Sequence, residues 1–246
     1  MTPDIPPHRP FDSPTRLDGL RVAVTGGTSG LGRALVENLW QLGARVAFVA
    51  RNAERVNEVA GQFSGTHGIA GDVSRREQTH AIALRITAAL GGLDVLINNA
   101  SSVGPLPLAP LADTATEDLQ TAFDTNVIGP FRLTQALMGA LGATAWQGRP
   151  ALVINVSSDA GVEAYAGWGA YGASKAALSH MSRIWDEEVR AHRLRIHAFD
   201  PGDMNTPMHA AAVPDADPST LKSPADAARE VVAIIDNARK TPAPVA

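Results

Sequence analysis

Short segments that predict strands, most of them apolar runs, alternate along the chain with longer stretches of helical periodicity. The predicted strands lie at residues 20–24, 44–49, 66–70, 93–97, 151–156 and 194–199. Most of the stretches between them are ten or more residues long. Buried strands that alternate with helices of this length are typical of a parallel sheet covered by helices on both faces. The sequence therefore predicts an α/β fold with a doubly wound parallel sheet.

Seven stretches of the chain have helical periodicity. It is predicted at residues 33–42, 74–90, 113–124, 126–141, 172–191, 205–213 and 225–238. Ser74 is the expected N-cap of the second helix. Gly129-Pro130 falls early in the fourth helix and predicts a kink or a restart, because proline cannot continue the hydrogen-bond ladder.

Composition narrows the class of protein. The 246 residues carry a formal charge of −4 and no cysteine. This mild charge gives no electrostatic case for nucleic acid or an anionic membrane, and no apolar run approaches the ~20 residues of a membrane span. Without cysteine there is neither a disulfide nor a thiolate metal site, and the histidines lack metal-ligand spacing. We expect a cytoplasmic protein without a metal.

The composition along the chain also indicates how many domains it forms. No break in composition interrupts residues 20–238, so we predict a single domain at 17–246. Residues 1–16 contain five prolines and lack the apolar segment of a signal peptide. We interpret residues 1–16 as a Pro-rich flexible leader.

A glycine-rich turn joins the first predicted strand to the first helix. Thr25 to Gly32 reads T-G-G-T-S-G-L-G. Such a turn brings backbone N–H groups and the positive end of a helix to a phosphate. The spacing differs from the G-x-G-x-x-G dinucleotide fingerprint. The turn opens a strand–helix–strand unit, which favours a nucleotide site.

The ends of the next strands carry residues that suit an adenosine moiety. Ala50 offers no carboxylate for a ribose 2′-hydroxyl, whereas Arg51 suits a 2′-phosphate, so we favour NADP(H) over NAD(H). The alternative is that Arg51 is a solvated helix residue. Asp72 could accept from an adenine amino group or be a plain turn residue. The amides of Asn98 and Asn99 should face the crevice at the carboxyl edge of the sheet.

Three polar side chains between residues 155 and 175 could meet at one point. Tyr171 and Lys175 are one helical turn apart, and Ser158 precedes Tyr171 by 13 residues. A lysine ammonium favours a phenolate. We expect it to lower the tyrosine pKa, which is ordinarily about 10, and a shift of roughly 3 units requires about 4 kcal/mol. The pair alone could equally be ordinary helix residues.

Five motifs in this order make the chain resemble the short-chain dehydrogenase/reductase family over nearly its whole length. They are T-G-G-T-S-G-L-G at Thr25 to Gly32, Asp72-Val73, N-N-A-S from Asn98, Ser158 with Y-G-A-S-K from Tyr171, and Pro201-Gly202 up to Thr206. The resemblance implies a Rossmann-type fold and hydride transfer between NADP(H) and a carbonyl or secondary alcohol. Ser101 departs from the family, which usually has glycine there.

The resemblance also implies roles for individual residues. Tyr171 would be the general acid or base, Ser158 would bind the substrate oxygen, and Lys175 would bind the nicotinamide ribose and lower the Tyr171 pKa. Asn126 would complete the catalytic set by holding a water in a relay to Lys175. The cofactor residues would be Gly26, Thr28, Ser29, Gly30, Leu31, Arg51, Asp72, Val73, Asn99, Ala100, Tyr171, Lys175, Pro201, Gly202, Met204 and Thr206.

The substrate is expected to be a small carbonyl or alcohol compound. Its contacts would be Ser158, Asp159, Trp168 and Met208, in a pocket that also includes Ser102, Val103, Tyr165, Met204 and His209. Trp168 and the methionines could instead be packing residues, and we interpret His209 as a surface residue of a short helix over the pocket. Mixed apolar and aromatic walls suit a carbonyl compound better than a highly charged one.

Assembly and activity each leave alternatives. Pro242 and Pro244 predict that a seventh strand is short, at an edge or missing. We expect a homodimer or homotetramer, with a dimer formed through helices near 127–141 and 172–191. The alternatives to a dehydrogenase or reductase are a non-catalytic dinucleotide-binding regulator or scaffold, and an epimerase-type reaction in which the hydride returns to the substrate.

Overall fold

The computed structural model of the chain describes residues 15–240. Its strands are β1 (Arg21–Thr25), β2 (Arg45–Ala50), β3 (His67–Ala70), β4 (Val95–Asn98), β5 (Ala151–Val156) and β6 (Leu194–Phe199). Its helices are α1 (Gly30–Gln41), α2 (Ala53–Gln62), α3 (Thr79–Leu90), α4 (Thr116–Phe123), α5 (Gly129–Trp146), α6 (Gly169–Val189), α7 (Pro207–Ala212) and α8 (Pro224–Lys240). Residues 1–14 of the predicted leader and residues 241–246, which include Pro242 and Pro244, lie outside the described range, so the predictions for the leader and for a seventh strand fall there.

All six strands pair in parallel, in the order β3-β2-β1-β4-β5-β6. The chain runs outward from β1 to β3 and then returns to β4 on the other side of β1. This reversal leaves a crevice beyond the carboxyl ends of β1 and β4, where ligands bind in such sheets. The predicted doubly wound, Rossmann-type parallel sheet in a single domain is confirmed.

Two apolar cores cover the two faces of the sheet. Successive strand residues point to opposite faces, so Leu152 and Ile154 join the core under α1, α2 and α8, whereas Val153 joins the core under α3, α5 and the end of α6. Helix α1 packs on α8, and α3 packs on α5. In β1, β2, β4 and β5 residues on both faces are buried, so these strands are nearly continuous apolar runs. The edge strands β3 and β6 are only partly buried.

The predicted helix boundaries need three corrections. Ser74 does not cap a helix, because its hydroxyl donates to Asp72 Oδ1 (2.7 Å) and a short 3₁₀ turn precedes α3. Helix α2 is additional to the predicted helices; Asn52 caps it by accepting from the Arg55 N–H (2.9 Å). The restart before Gly129 is a π-helical turn at Asp124–Ile128, which joins α4 to α5.

Candidate active site

The start of α6 packs tightly against the loop that follows β5. A Cβ on Gly172 would lie 2.6 Å from the Ala160 carbonyl oxygen, and a Cβ on Gly161 would lie 2.8 Å from the Ala176 nitrogen. Only glycines allow the two backbones to approach so closely. This close packing places the loop that carries Ser158 beside the helix turn that carries Tyr171.

Tyr171 and Lys175 share one face of α6, as their spacing predicts. The Lys175 side chain is buried, with its residue 2% exposed, and its Nζ lies 5.4 Å from the centroid of the Tyr171 ring. Nζ donates to the carbonyl oxygen of Val156 at the end of β5 (2.7 Å). The edge of the Trp168 ring packs against Tyr171, with the centroids 5.6 Å apart. The phenol is thus held between an indole and an ammonium group.

Ser158 connects this pair to an acidic side chain. Its hydroxyl donates to Asp159 Oδ1 (3.0 Å), and the other carboxylate oxygen accepts from the Tyr165 hydroxyl (2.9 Å). The Ser158 hydroxyl also acts on the Tyr171 phenol and tends to lower the tyrosine pKa. A chain of hydrogen bonds therefore runs from Ser158, next to Tyr171, through Asp159 to Tyr165.

The acid–base properties of the pair differ from the sequence-based expectation. Burial raises the pKa of Tyr171 to about 12, and the carboxylates of Asp200, Asp159 and Asp203 reinforce the increase. Burial also lowers the pKa of Lys175 to about 7, opposed by Asp200. For the protein alone, the Tyr171 pKa is therefore raised rather than lowered, because burial is the largest cause of its shift and Lys175 is itself only partly charged near neutral pH.

Asn126 lies in the π-helical turn and is buried behind the pair. Its Oδ1 accepts from the Ser102 N–H (2.8 Å) and the Ser101 hydroxyl (3.0 Å). Its Nδ2 donates to Ser102 O and Ser174 Oγ, each at 2.8 Å. Ser174 in turn donates to the Tyr171 carbonyl (2.7 Å). The amide of Asn126 thus holds the α6 backbone in place through Ser174, and its side chain makes no hydrogen bond to Tyr171 or Lys175.

The glycine-rich turn ends at the N-terminus of α1, facing the crevice. Ser29 is the N-cap residue, yet its side chain makes no capping hydrogen bond. The first N–H groups of any helix lack partners within the helix. Arg51 and Arg55 line the same region, are exposed, and Arg51 makes no side-chain hydrogen bond or ion pair within residues 15–240. These donors fit the phosphates of a dinucleotide.

The polar residues at the ends of β3 and β4 are partly engaged by the protein itself. Asp72 Oδ1 accepts from the N–H and hydroxyl of Ser74 (2.9 and 2.7 Å). The Asn99 amide donates to the Thr25 carbonyl (2.8 Å), which ties β4 to the glycine-rich turn. Asn98 points into the sheet, where it donates to Asn155 and Thr134. Asp72 and Asn99 therefore line the crevice. The expectation that the Asn98 amide faces the crevice is wrong, because this buried amide bonds to neighbours beneath the sheet edge.

Helix α7 covers the crevice from the other side. Thr206 caps α7 by accepting from the His209 N–H (3.2 Å), and its methyl group would lie 3.2 Å from a Cβ on Gly30. The His209 side chain is 15% exposed, Nε2 is 3.9 Å from Asp203 Oδ1, and Nδ1 is buried without a partner among the described residues. The interpretation of His209 as a surface residue is wrong, because α7 turns this ring towards the crevice.

One cleft brings most of the predicted residues together. All sixteen predicted cofactor residues line it, as do Trp168, Met208, Val103 and His209. Ser158, Asp159, Ser102 and Tyr165 are not among its lining residues, and Ser158 reaches the cleft through the Tyr171 phenol. The cleft also has lining residues that sequence reasoning missed: Val49, Asn52, Arg55, Gly71, Ser101, Thr125, Val156, Ser157, Asp203, Pro207 and Ala212. Arg55 could have been found from its four-residue spacing after Arg51.

Two classes of site are not found in the described part of the chain. Residues 15–240 contain no group of three or more His, Cys, Asp or Glu side chains that could hold a metal ion. Within the same range, none of the helices is both long enough and apolar enough to cross a membrane.

Comparison with known proteins agrees with this architecture. Residues 21–217 match the family model for short chain dehydrogenases. The uncharacterized oxidoreductase YciK of Escherichia coli K12 is 31% identical over 212 residues, which cover 83% of this chain and 81% of that protein.

Solved structures show the same fold. A crystal structure described as a short chain dehydrogenase from Escherichia coli CFT073, complexed with NADPH, superposes with a TM-score of 0.85 at 30% identity and covers 93% of this chain and 96% of that one. A 3-ketoacyl-(acyl-carrier-protein) reductase from Brucella melitensis complexed with NADH, at 23% identity, shares the fold with a TM-score of 0.83 and covers 92% of this chain and 94% of that one. The chain is therefore an oxidoreductase of the short-chain dehydrogenase/reductase family.

Proposed function

We propose that the protein transfers a hydride between NADP(H) and a carbonyl or secondary alcohol, with Tyr171 as the general acid or base. The observation that carries the proposal is the Tyr171 phenol itself. It lies in a cleft that could hold a dinucleotide, is acted on by the Ser158 hydroxyl and stands beside the buried Lys175 ammonium. The cofactor, when bound, supplies the hydride, and the protein supplies the proton and the orientation.

The acid–base properties of the free protein suit reduction. With a pKa raised to about 12, the Tyr171 phenol is protonated at neutral pH. It can therefore donate its proton to a carbonyl oxygen as negative charge develops there. Ser158 would donate a second hydrogen bond to that oxygen, which requires its hydroxyl to turn from Asp159. Lys175 would bind ribose hydroxyls and return a proton to Tyr171, as a group with a pKa of about 7 can do.

The choice of NADP(H) rests on charge at the adenosine end. Arg51 follows the position where a ribose-binding carboxylate would stand, and Ala50 fills that position. The exposed guanidinium of Arg51 is free of protein partners in the described residues, Arg55 is one turn away, and Ser29 has an unused hydroxyl. The E. coli CFT073 structure described with NADPH supports this choice, although the more distant B. melitensis reductase was crystallised with NADH.

The substrate pocket is proposed to lie between the loop at 159–168 and helix α7. Trp168 and Met208 line the cleft next to Tyr171. Asp159 accepts hydrogen bonds from both Ser158 and Tyr165. An uncharged carbonyl compound fits these surroundings better than an anion, because the carboxylates of Asp159, Asp200 and Asp203 act on Tyr171.

Assembly through α5 and α6 is proposed from their exposed apolar residues. Phe131 and Ile184 are 37% and 49% exposed, and the Phe131 and Trp185 rings pack with centroids 5.5 Å apart. A homodimer would cover these side chains, and a homotetramer would need a second surface.

The test is a substrate screen. Oxidation of NADPH by the purified protein is measured with each member of a panel of neutral ketones and aldehydes. Oxidation of NADH is then measured with the best substrate. We expect turnover with neutral carbonyl compounds, and a loss of about 10²- to 10⁴-fold in kcat for Tyr171→Phe, because general acid catalysis contributes about that much. Binding of NADPH without turnover of any compound would contradict catalysis and favour a regulatory role.

A further inference from the structure

The segment from Asp200 to Thr206 forms the end of the cleft beside Tyr171, and it is irregular. It follows β6 and precedes α7, and no strand or helix includes it. Its backbone instead pairs with the segment around Lys222. Met204 and Lys222 form an isolated parallel bridge, with Lys222 N donating to Asp203 O (2.9 Å) and Asn205 N donating to Lys222 O (3.0 Å). One residue therefore pairs with both sides of Met204.

The side chain of Lys222 holds the same segment at a second point. Its ammonium donates to the Pro201 carbonyl oxygen (2.7 Å) and to Glu230 Oε1 (2.9 Å). The next peptide N–H, that of Gly202, donates to Asp200 Oδ1 (2.8 Å). The carbonyl and the N–H of the Pro201–Gly202 peptide bond are thus both hydrogen-bonded. The position of this turn therefore depends on where the Lys222 ammonium is held.

That anchor belongs to the rigid part of the fold. Glu230 lies on α8, whose Val231 and Ile235 are buried in one core of the sheet. Helix α8 packs along α1, the helix whose N-terminus faces the phosphate region. Lys222 therefore connects the segment beside Tyr171 to the same layer of helices that carries the other end of the cleft.

We propose that Lys222 is a positioning residue that holds Pro201–Thr206 in the conformation that receives the nicotinamide end of the cofactor. This inference rests on the proposed function. Without the ammonium, the Pro201 carbonyl loses its partner and the segment keeps only its backbone bridge. Among the described residues, the hydrogen bonds and ion pair of Lys222 are with Pro201, Asp203, Asn205 and Glu230. The adenosine end, which is built from α1, β2 and α2, should therefore be unaffected.

The experiment compares two ligands that share the adenosine end. NADPH and adenosine 2′,5′-bisphosphate are titrated into the wild-type protein and Lys222→Met, and kcat and KM for NADPH are measured with the best substrate of the screen. We expect Lys222→Met to raise the Kd for NADPH about tenfold, as loss of a charged hydrogen bond does, and to lower kcat. We expect the Kd for the bisphosphate to stay within about twofold of the wild-type value.

Three further variants make the result specific. Lys240→Met removes an equally charged side chain whose partner, Asp236, is on the same helix α8. This variant should change the Kd of neither ligand. Lys222→Arg keeps a donor for Pro201 and Glu230 and should restore part of the NADPH affinity. Glu230→Gln removes the anchor alone and should have a smaller effect of the same kind, which also provides the test if Lys222→Met does not fold.

Two results would overturn the role of Lys222. One is unchanged NADPH affinity and kcat in Lys222→Met and Glu230→Gln. The other is equal weakening of both ligands, which would indicate general destabilisation. A wild-type protein that binds the bisphosphate but has no NADPH-dependent turnover would instead contradict the proposed function.

Discussion

The two ends of the cleft differ in how charge is arranged. At the adenosine end, Arg51 and Arg55 are exposed, and the N-terminus of α1 adds positive potential. At the other end, Asp159, Asp200 and Asp203 act on Tyr171, and the cation among them, Lys175, is buried. Exposed cations serve recognition of a charged ligand. Burial serves chemistry, since it changes the pKa of the groups that exchange protons.

The largest effect should come from the buried lysine. Burial lowers the Lys175 pKa from 10.5 to about 7. Between these two pH values the unfolded state binds more protons than the folded state. The free-energy cost of burying the charged lysine is therefore full below pH 7 and is relieved as the pH rises towards 10.5. Between pH 7 and pH 10, the wild-type protein should therefore gain about 3 kcal/mol of unfolding free energy relative to Lys175→Met.

Urea unfolding of both proteins across this pH range measures that difference. Lys240→Met is the matched control, because Lys240 is 71% exposed and its removal should give a flat difference. A flat difference for Lys175→Met as well would show that burial does not set the pKa of this lysine, and the contrast between the two ends would fail.

The exposed end should respond through affinity rather than stability. Arg51→Ala should weaken NADPH binding about 10- to 100-fold, because it removes charged hydrogen bonds to a 2′-phosphate, and should leave NADH binding nearly unchanged. Arg55→Ala should have a smaller effect of the same sign. Titration of both cofactors into the wild type and the two variants gives the values. Tighter binding of NADH than of NADPH by the wild-type protein would refute the assignment.

The smallest effect should come from Ser101, which supports Asn126 behind Tyr171 and Lys175. The Ser101 hydroxyl donates to Asn126 Oδ1, but three other hydrogen bonds hold that amide. Ser101→Gly, which restores the usual family residue, should therefore change kcat by only about two- to threefold, corresponding to roughly 0.5 kcal/mol. A loss of kcat greater than thirtyfold would mean that Ser101 contacts the reactants directly.

The contrast between the ends also marks what the sequence could predict. Strand β5 begins and ends where its apolar run does, because core burial on both faces determines its composition. Strand β6 also keeps its predicted bounds, with Leu194 and Ile196 buried and Arg195 exposed. The residues of the phosphate turn and of α6 follow from local spacing. The phosphate turn and α6 could therefore be predicted without knowing any contact between residues that are distant in sequence.

Other features depend on tertiary packing and could not be predicted. The direction of the Tyr171 pKa shift depends on how deeply α6 is buried and on Asp200 and Asp203, which are distant in sequence. The partner of Lys175 is a backbone carbonyl of Val156, to which composition gives no clue. Ser74 fits the pattern of an N-cap, but the neighbouring Asp72 carboxylate takes its hydroxyl.

The central claim is that Tyr171 exchanges a proton while a hydride moves between NADPH and the substrate. The most direct measurement uses NADPH deuterated at the transferred position, with the best carbonyl compound of the screen, in wild-type protein and Tyr171→Phe. We predict one deuterium in the alcohol product for each NADPH oxidised by the wild type, and a rate at least about 100-fold lower in the variant. Product without deuterium, or equal rates in the two proteins, would contradict the claim.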